Sequence, residues 1–277
     1  MPLLTNGNSA KLYCLNWIER RVKDQDGKAS ILDLGCGTAQ NFARLMELHP
    51  QVKYVGIEPG AGACEAARRN LEGHDATIIN AYAYDVYGRL VQDQFDMVVS
   101  FSALEHLFRR QKYLDSAAAC LKPGGDFLIN YDSGHFVMPD SFKERVKNRV
   151  GPAMARIGVE RFYQSFVMES DFHAMLEAAG LTVVEAKSFN TRLKGIHKII
   201  PEAYREEYMA RWLAYEEWLN ELGIAYRDDL AKVWTTRIST APQKVTSLPG
   251  RSCKESSDDQ NVQQTQSQWT KTKGTLV

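Results

Sequence analysis

The segment Ile31-Leu-Asp-Leu-Gly-Cys-Gly-Thr-Ala-Gln40 constrains this chain more than any other. A short, mostly apolar run leads straight into two glycines one residue apart, Gly35 and Gly37. A run of this kind reads as a strand buried on both faces, as in a parallel sheet. The glycines let the backbone turn sharply and remove the Cβ atoms that would hold a ligand away from the main chain. A nucleotide-like molecule fits such a turn. A dinucleotide does not, because the third glycine of G-x-G-x-x-G falls on Gln40 and Asp33 would repel a pyrophosphate. A ligand carrying an ammonium or sulfonium group suits the aspartate better.

Strand and helix patterns alternate around this unit. Residues 31–34, 53–57, 76–79, 95–101 and 127–131 read as strands, and 39–48, 61–71 and 110–121 as helices. A lead helix over 9–24 carries the apolar stripe Leu12, Leu15, Ile18 and Val22, with Asn8 or Ser9 as its cap. Parallel strands joined through helices predict an α/β, doubly wound, Rossmann-like sheet. After the fifth strand the rhythm breaks at an insertion, 133–165, that carries Lys143, Arg145, Lys147 and Arg149. A helix over 171–179, a sixth strand over 181–186 and a last strand over 233–240 follow. Between those two strands lies a second insertion, 195–230, holding a long helix over 201–222. Residues 1–242 form one domain on this reading, and 243–277, rich in Ser, Thr and Gln, form a disordered tail.

The chain of 277 residues has 34 basic and 34 acidic side chains, so no global field draws in nucleic acid or an acidic membrane. Its five cysteines are scattered without a C-x-x-C pair, which argues against a disulfide framework or a zinc site, and the histidines show no ligand-like spacing. No metal is expected. There is no leader-like segment and no apolar run near the ~20 residues that span a bilayer, so a cytoplasmic protein is expected.

A second carboxylate follows the second strand, in Glu58-Pro59-Gly60, 23 residues beyond Gly35. At that strand end it is placed to accept hydrogen bonds from both hydroxyls of a ribose. With Asp33-Leu-Gly-Cys-Gly-Thr, Gly56-Ile-Glu-Pro, Phe95-Asp-Met-Val-Val-Ser, Leu104-Glu-His-Leu and Leu121-Lys-Pro-Gly-Gly-Asp-Phe-Leu in this order, the chain resembles the class I S-adenosylmethionine-dependent methyltransferases. The resemblance covers roughly 12–186 and implies a seven-stranded sheet, mostly parallel with an antiparallel last strand, and helical lid insertions. It implies S-adenosylmethionine as cofactor, with the methionine part against Asp33, Gly35, Cys36 and Gly37, and with Gln40 and Ser100 among the binding residues. The ribose falls on Glu58 and its neighbour Pro59, and the adenine near Tyr82 and Ala83. Tyr82 stands where the family often has an acid, and Asp85 is the candidate substitute.

Methyl transfer from a sulfonium is mainly a matter of alignment, plus removal of the acceptor's proton. The resemblance makes His106, after the fourth strand, the candidate general base with Asp132 after strand five as its partner, or else a residue that packs and hydrogen-bonds beneath the cofactor. His135 is a second candidate, and Glu105 either aims at the substrate or caps or buttresses the following helix. The insertions are expected to cover a small organic acceptor, methylated at oxygen. The aromatic series Tyr204, Tyr208, Trp212 and Tyr215 reads as core, a lid wall or the seam of a homodimer. A nucleic-acid methyltransferase, a non-catalytic cofactor-binding scaffold and an NAD-dependent oxidoreductase are the competing readings.

Overall fold

The computed structural model describes residues 8–85, 94–132, 142–160, 163–190, 196–224 and 230–238. The 243–277 tail, His135 and the side chain of Asp85 lie outside the described residues. Seven strands form one sheet: β1 (Ser30–Leu34), β2 (Lys53–Glu58), β3 (Ala76–Asn80), β4 (Phe95–Phe101), β5 (Leu121–Asp132), β6 (Leu181–Asn190) and β7 (Leu230–Ile238). Their order is β3-β2-β1-β4-β5-β7-β6. β1 to β5 pair in parallel, whereas β7 runs antiparallel to both β5 and β6. The expected doubly wound architecture, with its reversed last strand, is the observed one.

Helix α1 (Ser9–Lys23) begins where the Asn8 side chain accepts a hydrogen bond from the Lys11 N–H, at 3.2 Å. Its stripe of Leu12, Leu15, Ile18 and Val22 is buried with α2 (Gln40–Leu48) on one face of the sheet. The other face is covered by α4 (Arg110–Cys120) and α6 (Glu169–Ala178), with Tyr113, Leu114, Phe172 and Leu176 in a second apolar cluster. Helix α3 (Ala61–Asn70) links β2 to β3. At the far end of α1, Arg21 reaches Asp126 at 2.6 Å, and Arg237 of β7 holds the other oxygen of that buried carboxylate at 2.7 Å. One acid thereby fastens the lead helix and the last strand to β5.

Several boundaries differ from expectation; β7 begins at Leu230 rather than 233, because Leu230, Ala231 and Lys232 pair with Asn190, Phe189 and Ser188 of β6. β5 starts at Leu121, because Leu121 pairs with Phe95 before the register shifts near Met97. The Lys-Pro-Gly-Gly run, which lies between the expected helix and strand, is thus an irregularity inside the strand. A Cβ on Gly125 would lie 2.9 Å from the Lys122 carbonyl oxygen and 3.2 Å from that of Asp96, so only glycine fits there. β6 extends to Asn190 because β7 pairs with it along its whole length. The first insertion contains α5 (Phe142–Arg156), which continues through Gly151 and Pro152 although that pair reads as a breaker. The second holds α7 (Ile196–Ile199) and the long α8 (Glu202–Glu221), which packs on α1 and β6.

Candidate active site

The C-terminal ends of β1, β2, β4 and β5 converge, as they must in a parallel sheet whose order reverses beside β1. Here β1 runs into its glycine turn. The N–H groups of Gly35 and Cys36 both donate to the Ile57 carbonyl, at 2.8 and 3.0 Å, which folds the turn over the end of β2. Gly35 has φ +85°, and a Cβ on it would lie 3.0 Å from that of Ala103, so this position excludes a side chain twice over. Ala39 and Ser102 also hold left-handed backbone, at φ 52° and 54°. Non-glycine residues adopt this at a cost of about 1–3 kcal/mol each, a strain that collects at functional sites.

The third such residue, Asp26 at φ 53°, lies in the turn after α1, whereas Ala39 and Ser102 line one cavity of about 320 Å³. Its walls are Asp33, Gly35, Cys36 and Gly37 from the glycine turn, Thr38, Gln40 and Asn41 from the start of α2, Asn8 and Lys11 from α1, and Phe101 beside Ser102 after β4. Asp33 is buried at 3% exposure. The Tyr54 hydroxyl donates to its Oδ2 at 2.8 Å, while its Oδ1 has no hydrogen-bond partner among the described residues. Burial pushes this carboxyl up to about 7, with the Tyr54 hydrogen bond and the Lys11 charge opposing and Glu58 adding to the rise. A buried acid with an uncommitted oxygen, facing a bare turn, is a seat for a cationic group.

Glu58 bridges the turn. Its Oε2 accepts the Gly37 N–H at 3.1 Å and its Oε1 the Gly60 N–H at 2.8 Å, so the carboxylate is fixed in orientation and each oxygen keeps a further lone pair. Gly56, paired with Asp33 across the strands, leaves room for Cys36, whose Sγ would lie 2.8 Å from a Cβ there. Pro59 and Gln40 are exposed, and of the two Gln40 lines the cavity. Tyr82 is half-buried and stacks on Tyr84 with ring centroids 5.4 Å apart. Ala83 opens the short 3-10 turn Ala83–Asp85. Ser100 does not line the cavity: it is buried in β4, with its Oγ 2.6 Å from the Tyr113 hydroxyl, which donates to the Leu34 carbonyl at 2.9 Å.

The turn after β4, Leu104–His106, carries the candidate base. His106 is exposed, Glu105 buried at 1% and Asp132 buried at 4% at the end of β5. Burial drives the Glu105 carboxyl up to about 7; the nearby Asp132 charge raises it, and backbone hydrogen bonds from Glu105 and Asp132, then Lys11, lower it. The Glu105 Oε2 has no hydrogen-bond partner among the described residues. Arg110 clamps this turn to the segment before α6. Its Nε donates to the Leu104 carbonyl at 3.1 Å, Nη1 to Phe166 O at 3.1 Å, and Nη2 to Ser165 O at 2.9 Å and Ser165 Oγ at 2.8 Å. The Ser165 N–H in turn donates to the Glu105 carbonyl at 2.9 Å.

Lys11, Glu105 and Arg110 were not among the residues the sequence singled out for these roles. Lys11 had a faint signal as a cation in the first turn of an otherwise amphipathic helix. For Glu105 and Arg110 the roles come from burial and from carbonyls brought in from distant segments. Among the described residues, no group of three or more His, Cys, Asp or Glu is arranged to hold a metal, and no helix is long and apolar enough to cross a membrane.

Comparison with known proteins adds the following. A family model described as a methyltransferase domain matches residues 32–127, the stretch from the glycine turn into β5. The malonyl-[acyl-carrier protein] O-methyltransferase of Brevibacillus brevis is 26% identical over 183 residues, covering 65% of this chain and 64% of that protein. The trans-aconitate 2-methyltransferase of Methylobacterium nodulans is 27% identical over 162 residues, covering 56% of this chain and 58% of that protein. The chain therefore spans about three fifths of the length of these curated relatives. The solved structure of a Haemonchus contortus phosphoethanolamine N-methyltransferase 2 in complex with S-adenosyl-L-methionine shares the fold, with a TM-score of 0.52 at 17% identity, covering 81% of this chain and 52% of that one.

Proposed function

We propose that the chain, which matches a methyltransferase-domain model over residues 32–127, acts as a class I S-adenosylmethionine-dependent methyltransferase and transfers a methyl group from this cofactor to a small organic acceptor, at oxygen. The observation that carries the reading is the buried Asp33 with its uncommitted Oδ1 beside a turn that a Cβ at Gly35 would fill. These residues fit the cofactor. Asp33 holds its ammonium group, the bare turn at Gly35, Cys36 and Gly37 receives the methionine part, and Glu58 accepts from the ribose hydroxyls. Tyr82 and Ala83 border the adenine. When bound, S-adenosylmethionine supplies a methyl group made electrophilic by the sulfonium.

What remains for the protein is to orient the acceptor and take its proton. A histidine has a pKa suited to this near neutrality, and His106 stands exposed on the turn after β4, with Asp132 as its acidic partner in this reading. A specific observation favours a second assignment of the proton: Glu105, adjacent in sequence, is buried with a free oxygen and a carboxyl raised to about 7. In this reading the acceptor lies under the first insertion, of which α5 and the segment from Tyr163 to Met168 are described. The oxygen target is supported by the O-methyltransferase named above, whose acceptor is its own.

Methyl-labelled S-adenosylmethionine incubated with a panel of phenols, carboxylates and amines tests the proposal. Label appearing on an oxygen supports it; label on nitrogen or carbon overturns the oxygen assignment; cofactor bound but unconsumed across the panel favours a scaffold. With an acceptor found, His106→Ala and Glu105→Gln separate the two bases, because only loss of the true base removes the acid limb of the pH profile while cofactor affinity persists.

A further inference from the structure

Helix α8 buries one side and leaves another bare. Met209, Trp212, Leu213 and Glu216 are buried, at the spacing of a core-facing stripe. The Trp212 indole N–H donates to Glu216 at 2.9 Å, and Glu216 also accepts the Asn190 N–H of β6 at 3.0 Å, which anchors the helix to the sheet. A second row contains Tyr204, Tyr208, Arg211, Tyr215, Trp218 and Leu222. Of these, Tyr204 is 61% exposed, Tyr215 51%, Trp218 52% and Leu222 53%.

The steps along this row are four, three, four, three and four residues, the alternation that keeps a stripe facing a neighbouring helix at a shallow crossing angle. The same steps appear when the row is read backwards. An antiparallel copy of the helix therefore sets Tyr204 opposite Leu222, Tyr208 opposite Trp218, and Arg211 opposite Tyr215, with each pairing occurring twice. Self-complementarity of this kind is what a two-fold interface requires.

The area is also in range. A large aromatic side chain offers roughly 200 Å², so half-exposure of the four residues leaves about 400 Å² of mainly apolar surface. That is already near the largest patch on a typical monomer. With the stems of Tyr208 and Arg211 and the same surface from a second copy, the total reaches about 1,000 Å², the threshold for a specific interface. Arg211 sits near the middle of the row, held by Glu207 on its own helix at 2.7 Å. Opposite Tyr215 it finds an aromatic face.

We propose that this face of α8 is the seam of an antiparallel homodimer. Sedimentation velocity on the full chain should show twice the monomer mass, and Trp218→Glu should raise the dissociation constant about 30-fold or more, as for an interface hot spot. Orientation is read from a Tyr204→Cys, Leu222→Cys double variant under mild oxidation. These positions lie 18 residues apart, or about 27 Å on one helix, so a link between them must join two chains. Mass spectrometry should find the 204–222 link between chains. A wild-type chain that stays monomeric at high micromolar concentration, a dimer indifferent to Trp218→Glu, or links joining 204 to 204 and 222 to 222 would each overturn the proposal. Capture by an unrelated helix or by vesicles, with no self-association, would do so as well.

Discussion

Lowering the pH probes Asp33 more directly than any mutation. Burial raises its carboxyl from 3.8 to about 7 in the folded chain. Between those values the folded state holds a proton that the unfolded state has lost. Asp33's contribution to stability is therefore greatest at low pH, declines by at most about 1.4 kcal/mol per unit as pH rises through this window, and levels off above it. Cofactor binding runs the other way, since a bound ammonium requires the carboxylate. Below about 7 the site must first expel a proton, and the apparent affinity for S-adenosylmethionine should weaken by up to about tenfold per pH unit. Calorimetry in two buffers of different ionisation enthalpy counts that proton directly: close to one released a unit or more below Asp33's value, and few above it. Asp33→Asn should bind weakly at every pH without the linkage. Glu105→Gln should retain it, which matters because Glu105 also titrates near 7. A wild-type affinity that is flat across neutrality, with no proton released, would refute the reasoning.

Two substitutions probe the supports of the site. Gly56→Ala brings a Cβ to 2.8 Å from Cys36 Sγ and 3.0 Å from both Ile78 Cδ1 and Tyr54 Cε1. It should cost about 1–3 kcal/mol in urea denaturation and weaken cofactor binding, with Cys36→Ala in the same chain recovering part of the loss; unchanged stability would contradict the crowding. Arg110→Ala strips four hydrogen bonds from the turn after β4 and the segment before α6. The acceptor's KM should rise about tenfold while cofactor affinity holds, and Arg110→Lys should restore little, because a point charge cannot replace the fork; equal losses in both affinities would make the clamp merely structural.

The glycine-turn half of the candidate site was legible because its demands are local. A strand, two glycines and an acid fixed distances along the chain specify a turn whatever surrounds it, and Asp33, Gly35, Gly37 and Glu58 converge as their spacing implied. The rest depends on tertiary approach. Ala39 and Ser102 carry left-handed backbone that no propensity announces, and Glu105 becomes a buried acid only when β5 closes beside its turn. Arg110 finds its carbonyls on a segment more than 50 residues away. The start of β5 was hidden by a Pro-Gly-Gly run whose irregularity the neighbouring strand accommodates. The aromatic series on α8 looked like one face, yet Trp212 is buried while Tyr204 and Tyr215 are exposed. Helical spacing alone does not say which of two apolar sides meets the sheet.

Equilibrium dialysis of the intact chain against radiolabelled S-adenosylmethionine, at a pH where Asp33 is ionised, tests the central claim most directly. The account predicts one equivalent bound per chain at saturation, displaced by S-adenosylhomocysteine and severely weakened by Glu58→Ala. No saturable binding, or binding indifferent to that substitution, would contradict it.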